Sequence, residues 1–162
     1  MIILRPGEIA DLEPAVIASA RECVIATADG AVGGRAAAVI LLSDYAVATP
    51  RSVITIDSAQ AWAGVVWRVG ADALRLHASG ATHFNATQAS EAGLIDAIAA
   101  DLDEWRASFL ENRSAMALDS AAALIARRGG DALERAEFAR LFAAGEPQRG
   151  LSAFLEKRRP RF

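Results

Sequence analysis

The residues with the clearest chemical potential are two adjacent glycines. Gly33 and Gly34 stand between the apolar run Val24-Ile25-Ala26 and an almost wholly apolar segment, 35–43. This order predicts a strand, a glycine turn that begins at Asp29-Gly30, and a buried helix. Glycine lets such a turn adopt unusual dihedrals and lets a ligand approach the backbone closely. The first N–H groups of the helix then lack internal acceptors and face a developing negative charge. A thioester oxygen becoming an enolate suits that arrangement. Phosphate fits less well, because the chain has neither a GxGxxG fingerprint nor a P-loop lysine. Tight packing at a strand–helix turn is the other use of such glycines.

Other reactive side chains are few. His77 and His83, with ordinary pKa values near 6.5, are of the type that serves as a general base. Their placement, one on a helix and one in a loop, equally suits surface or interface histidines. No nucleophile elbow supports a hydrolytic triad, and Ser43 has no evident acid–base partner. Cys23, the single cysteine, sits on the apolar side of the first expected helix and reads as a small core residue. One cysteine and two histidines exclude a disulfide framework and make a metal centre unexpected. Trp62 and Trp67 flank Gly64; they line an acyl pocket or cover sheet surface. The basic stretch Lys157-Arg158-Arg159-Pro160-Arg161 is too short to make a nucleic-acid binder of a chain with net charge -3.

The elements that must position these residues follow from pattern. The 162 residues, 53% hydrophobic and 23% charged, suffice for one ordinary domain with a sizeable core. The longest apolar run, Ala36 to Leu42, is far too short for a membrane span. Arg5, Glu8 and Asp11 interrupt any signal-peptide pattern, so a cytoplasmic protein is expected. Ile2 to Leu4 reads as a short strand or packed arm, and Arg5-Pro6-Gly7 as a turn. A helix follows over about 8–22, with Pro14 implying a later start or a kink. Tyr45 to Ala48 and Val53 to Ile56 read as strands around a Pro50 turn. Helices are expected over Ala71–Ala78, Thr87–Ala92, Ile98–Glu111, Met116–Arg127, Leu133–Phe142 and Gly150–Glu156. Gly129-Gly130 should stop the fourth of these, and Gly145 and Pro147 the fifth.

The segment VIATADGAVGGRAAAVILLSDYAVAT resembles the central signature of the crotonase, or enoyl-CoA hydratase/isomerase, superfamily. Trp67-Arg68-Val69-Gly70 is similar to its arginine-x-valine-glycine segment. Gly80 with Ala89-Ser90-Glu91-Ala92-Gly93-Leu94-Ile95-Asp96 resembles a second passage. The ending from Arg149 through Leu151-Ser152-Ala153-Phe154-Leu155-Glu156-Lys157-Arg158 to Phe162 resembles the family terminus almost residue for residue. The likeness covers about residues 21–162 and implies a short form lacking the usual N-terminal part. It implies an α/β fold, a truncated crotonase-like core of ββα units with a helical C-terminal half. The expected organisation is one domain over 1–162: an N-terminal arm and helix over 1–23, the α/β core over 24–96, and a helical region over 97–162.

The same resemblance assigns roles. It implies an acyl-CoA thioester-processing, hydratase- or isomerase-like protein with coenzyme A thioester as substrate or ligand and no tightly bound cofactor. The second oxyanion-hole donor falls on Arg35, in the run Gly34-Arg35-Ala36. The two catalytic glutamates map to Ala38 and Ser58, with Asp57 one residue away and able to serve as base if the register slips; a loop or strand cap is the other reading of Asp57. Asp44 matches a family aspartate that holds a turn. Lys157, Arg158 and Phe154 match residues near the nucleotide end of coenzyme A. A trimer or hexamer, or a partner subunit, is implied, with no nucleic-acid or membrane partner. The alternative is a noncatalytic crotonase-like scaffold, a thioester binder or a subunit of a composite assembly.

Overall fold

A computed structural model describes residues 1–111, 113–126 and 130–162. The chain divides into two compact units. The larger holds residues 2–20 and 24–102; the smaller holds Met1, residues 21–23 and residues 103–162.

The larger unit carries seven strands in two sheets. One sheet is parallel, ordered β1 (Ile2–Leu4), β2 (Val24–Ala28), β4 (Tyr45–Ala48), β7 (Ala97–Ile98). All five residues of β2 are buried, as expected of a parallel strand covered on both faces. The second sheet is ordered β3 (Ala31–Val32), β5 (Val53–Thr55), β6 (His83–Asn85), with β3 parallel and β6 antiparallel to β5. A repeating unit results. β2 passes to β3 and then to α2 (Gly34–Leu42); β4 passes to β5 and then to α3 (Ala59–Val69) and α4 (Asp72–Ala78). β6 leads through α5 (Ala86–Glu91) to β7. This is the α/β pattern of ββα units anticipated from the sequence.

Two aspartates fasten the start of the parallel sheet in the same way. Asp44 accepts from the Val24 N–H at 2.8 Å and returns its own N–H to the Val24 carbonyl at 2.9 Å. Asp96 accepts from the Ala46 N–H at 2.7 Å and donates to the Ala46 carbonyl at 2.8 Å. Each secures a strand whose neighbour it precedes. Arg68, its side chain only 7% exposed, donates to Asp96 at 2.8 Å and to the Ser43 carbonyl at 3.0 Å, tying the end of α3 to the same edge.

The expected helix over 8–22 is only α1, Pro14–Ala18. Proline lacks an N–H and fixes φ, so it occupies the first turn, where no donor is needed. Cys23 is buried beside the start of β2 rather than on a helix. The region 59–69, left without an element in the sequence, is the helix α3. His83 lies in β6, not in a loop.

The smaller unit is helical: α6 (Leu102–Glu111, its first residue in the larger unit), α7 (Ala115–Ala126), α8 (Asp131–Ala143) and α9 (Glu146–Leu155). Its Asp119 carboxylate receives both the Met1 ammonium, at 2.9 Å, and the Cys23 N–H, at 2.8 Å. The helix expected over 98–111 begins only at Leu102, because Ala97 and Ile98 pair with β4. The helix expected from Gly150 starts four residues earlier, after Gly145 adopts φ 80° and with Pro147 in its first turn. The expected helix end at Arg127 and its stop at Gly129 lie outside the described residues.

Candidate functional site

The start of α2 is shaped by its two glycines. Gly33 is extended, at φ -141°, and Gly34 is left-handed, at φ 55°. The second conformation is open to glycine and strained for other residues. From Gly34 onward the chain winds into a helix whose residues 37–41 are fully enclosed, so the first turn is held rigidly.

Asp57 meets this turn. Its Oδ1 accepts from the Gly34 N–H at 2.8 Å. A Cβ built on Gly33 would lie 3.3 Å from its Oδ2 and 3.6 Å from the Thr55 Cβ. The carboxylate therefore lies across the glycine pair at the positive end of a nine-residue helix, a favourable position for an anion. The pairing of the second sheet puts it there. Ala31 stands opposite Val53 and Val32 opposite Ile54, so the two chains leave the sheet together and carry Gly34 and Asp57 to the same place.

The remaining sequence candidates divide. The Arg35 side chain turns to Glu13, at 3.0 Å, with both partners half-exposed; its backbone N–H stays in the first turn, where no internal acceptor exists. Ala38, to which the resemblance maps one catalytic glutamate, is fully enclosed in the core. The Ser58 hydroxyl accepts from the Ala61 N–H at 3.1 Å and caps α3. Gly34, Arg35, Asp57 and Ser58 thus lie at two neighbouring helix starts, and Asp57 is the carboxylate brought to α2. In the other unit, Phe154 is 78% exposed, Arg158 pairs with Glu156, and Lys157 has φ 53°.

Three features went unread in the sequence. Trp62 packs edge-on against His77, ring centres 4.8 Å apart, joining α3 to α4, while Trp67 is half-exposed. Gly64 is a contact point: a Cβ there would come within 2.5 Å of the Leu41 Cβ. Asp29, at the corner between β2 and β3, accepts from the Thr49 hydroxyl at 2.8 Å and from both Nε and Nη2 of Arg51. The hydrogen bond from Arg51 is the main reason its carboxyl is held down at about 2, with Thr49 adding to the effect. Among the described residues no cluster of histidine, cysteine or acidic side chains could hold a metal ion, and no helix is long and apolar enough to cross a membrane.

No family model matches the sequence. A search of curated proteins gives no match. Solved structures do match. An enoyl-CoA hydratase/isomerase from Marinobacter aquaeolei is 25% identical over 91% of this chain and 63% of its own, with a TM-score of 0.67. An enoyl-CoA hydratase/carnitine racemase from Magnetospirillum magneticum is 21% identical over 92% of this chain and 62% of its own, with a TM-score of 0.71. An enoyl-CoA hydratase from Shewanella pealeana is 25% identical over 97% of this chain and 65% of its own, with a TM-score of 0.65. The chain spans about 63% of the length of such relatives. It has the fold of the crotonase, or enoyl-CoA hydratase/isomerase, superfamily.

Proposed function

We propose that this chain processes acyl-CoA thioesters by proton transfer next to the thioester carbonyl, with the N–H groups at the Gly33–Arg35 start of α2 as a partial oxyanion hole and Asp57 as base. The observation that supports this most is the 2.8 Å hydrogen bond between Asp57 and the Gly34 N–H. It sets one carboxylate, held by the Gly34 N–H, beside the Arg35 N–H that remains for an enolate oxygen.

One carboxylate favours isomerisation over hydration. In the isomerisation of a 3-enoyl thioester, the carboxylate takes a proton from the α-carbon. The C–H electron pair moves into the enolate, and its charge rests on the oxygen facing the helix N–H groups. The new carboxylic acid then returns the proton to the γ-carbon, and the double bond moves into conjugation. Atoms balance without water. Hydration needs a second group to hold and activate water, and the two positions to which the family's catalytic glutamates map carry the enclosed Ala38 and the capping Ser58.

The test is conversion of 3-hexenoyl-CoA to the conjugated 2-enoyl thioester, followed by ultraviolet absorbance, beside hydration of crotonyl-CoA. Isomerisation should exceed hydration, and Asp57→Asn should lower it by about a hundredfold to ten-thousandfold while acetyl-CoA still binds. Hydration surpassing isomerisation, or isomerisation unchanged in Asp57→Asn, refutes the assignment.

A noncatalytic thioester binder is the second reading. It is favoured by the fact that Asp57 already takes the Gly34 N–H. It requires the opposite result: no turnover, and tighter acetyl-CoA binding once Asp57→Ala frees that donor. Lys157, Arg158 and Phe154 are proposed to meet the nucleotide end of coenzyme A, by charge and stacking. Assembly as a trimer or hexamer goes with the same reading and is measured by light scattering.

A further inference from the structure

The face of the second sheet that carries Asp57 also carries two polar side chains that the proposed reaction leaves unused. Along β5 and just beyond it, Ile54 and Ile56 are buried, while Thr55 is half-buried and Asp57 exposed on the opposite face. Thr55 borders the glycine turn, since a Cβ on Gly33 would lie 3.6 Å from the Thr55 Cβ. The exposed His83 stands across from Thr55 on β6. Hydrogen-bonded pairs alternate with closer pairs in an antiparallel ladder. The Ile56 N–H donates to the Thr82 carbonyl at 2.7 Å, so Thr55 and His83 form one of the closer pairs, with Cβ atoms about 4.5–5.5 Å apart. The Thr82 hydroxyl meets Nδ1 of His83 at 2.9 Å, which leaves Nε2 for a ligand.

These positions bear on what the acyl chain carries. Beyond Asp57 the backbone turns into α3 at its cap, Ser58, so the open sheet face extends from Asp57 back toward Thr55. An acyl chain with its α-carbon at Asp57 therefore crosses Thr55 and His83. A hydrocarbon end there would take both polar groups from water and replace none of their hydrogen bonds. A carboxylate end would approach the like charge of Asp57. A hydroxyl both donates and accepts, so it matches the Thr55 hydroxyl and either tautomer of His83. Two residues of strand cover roughly 7 Å, the span from the α-carbon of an extended acyl chain to an oxygen on C6.

We infer, building on the thioester placement proposed above, that Thr55 and His83 select acyl thioesters whose chain ends in a hydroxyl near C6. The hydroxyl exchanges hydrogen bonds with the two side chains, and the thioester oxygen keeps the Arg35 N–H.

Calorimetry on the full chain compares hexanoyl-CoA, 6-hydroxyhexanoyl-CoA and adipoyl-CoA, saturated thioesters that have no double bond to move. The hydroxy thioester should bind about threefold to tenfold more tightly than hexanoyl-CoA, the worth of a net hydrogen bond, and adipoyl-CoA should bind less tightly than the hydroxy thioester. A Thr55→Val, His83→Phe double variant, both replacements suited to a strand, should lose the preference and keep its affinity for hexanoyl-CoA. Thr55→Val alone, nearly isosteric, decides the matter if circular dichroism shows the double variant unfolded. Equal or weaker binding of the hydroxy thioester, tighter binding of adipoyl-CoA, or an intact preference in the variant overturns the inference. Isomerisation of 3-hexenoyl-CoA is read separately. Turnover that depends on Asp57, without the hydroxyl preference, removes only the role of Thr55 and His83. The preference without turnover removes only Asp57 as base. Absence of binding by all three thioesters at millimolar concentration overturns both.

Discussion

Gly64→Ala tests the packing on which the α2 start depends. Gly64 lies in the middle of α3, where glycine is ordinarily a poor choice; alanine is better by about 1 kcal/mol in a helix interior. The added methyl, however, would sit 2.5 Å from the Leu41 Cβ, 3.3 Å from the Leu41 carbonyl carbon and 3.4 Å from its Cα. Those atoms belong to the backbone and side-chain root of α2, so no rotamer change relieves the clash. The two helices must separate by roughly an ångström, which strips contact from neighbours such as Val65 and Ala61, both fully enclosed. Overpacking of this kind costs about 1–3 kcal/mol. It outweighs the propensity gain only if the helices resist separation, and the enclosed 37–41 segment of α2 makes them resist. A net loss of up to about 2 kcal/mol is expected, seen as a lower urea midpoint by tryptophan fluorescence. Gly150→Ala is the control: it gains the same propensity term with nothing in its way, and should match or exceed the parent by up to about 1 kcal/mol. A Gly64→Ala protein as stable as Gly150→Ala would refute the close-packing argument.

Two further predictions follow from the polar fastenings. Arg68→Lys should lose about 1–3 kcal/mol, because a lysine point charge cannot serve both Asp96 and the Ser43 carbonyl as the planar guanidinium does; chemical denaturation with a second Asp96→Asn variant should show less than additive losses. Asp29 has a folded pKa of about 2, below its ordinary 3.8, so the folded state binds fewer protons. Its contribution is present above the ordinary value and is lost as pH falls from there through the folded one. Asp29→Asn should therefore flatten the acid limb of stability in that window, and an unchanged limb would contradict the Arg51 pairing.

Legibility in the sequence followed burial. The strand β4 was found at its full extent, Tyr45–Ala48, and α2 to within a residue, because both are continuous apolar runs bounded by breakers. The span of α3 carries no expected element, since a glycine in its middle, Gly64, weakens a helical pattern. Its signals were present: Ser58 as a cap, followed by apolar residues 61, 62, 65, 66 and 69 at helical spacing. The helix expected from Gly150 is shorter than α9; that glycine is interior, and the left-handed residue that opens the helix is Gly145. Short strands such as β3 and β7, two residues each, have no pattern of their own and exist only through their partners.

Asp57 shows where the sequence stops informing. Its carboxyl type and loop position were visible, but its meeting with Gly34 spans 23 residues and depends on register. With Val32 opposite Ile54, two further residues on one chain and three on the other bring an N–H and a carboxylate within hydrogen-bond distance. A one-residue slip in a sheet reverses which face each side chain takes. It would turn Asp57 away and bring Ile56 or Ser58 toward the glycines instead. Neither supplies a carboxylate for the N–H groups of α2. The buried positions of Ile54 and Ile56 forbid that slip, since it would exchange both for the partly exposed Thr55 and the exposed Asp57. The hydrophobic alternation of β5 is thus what fixes a carboxylate, rather than a hydroxyl, at the start of the helix.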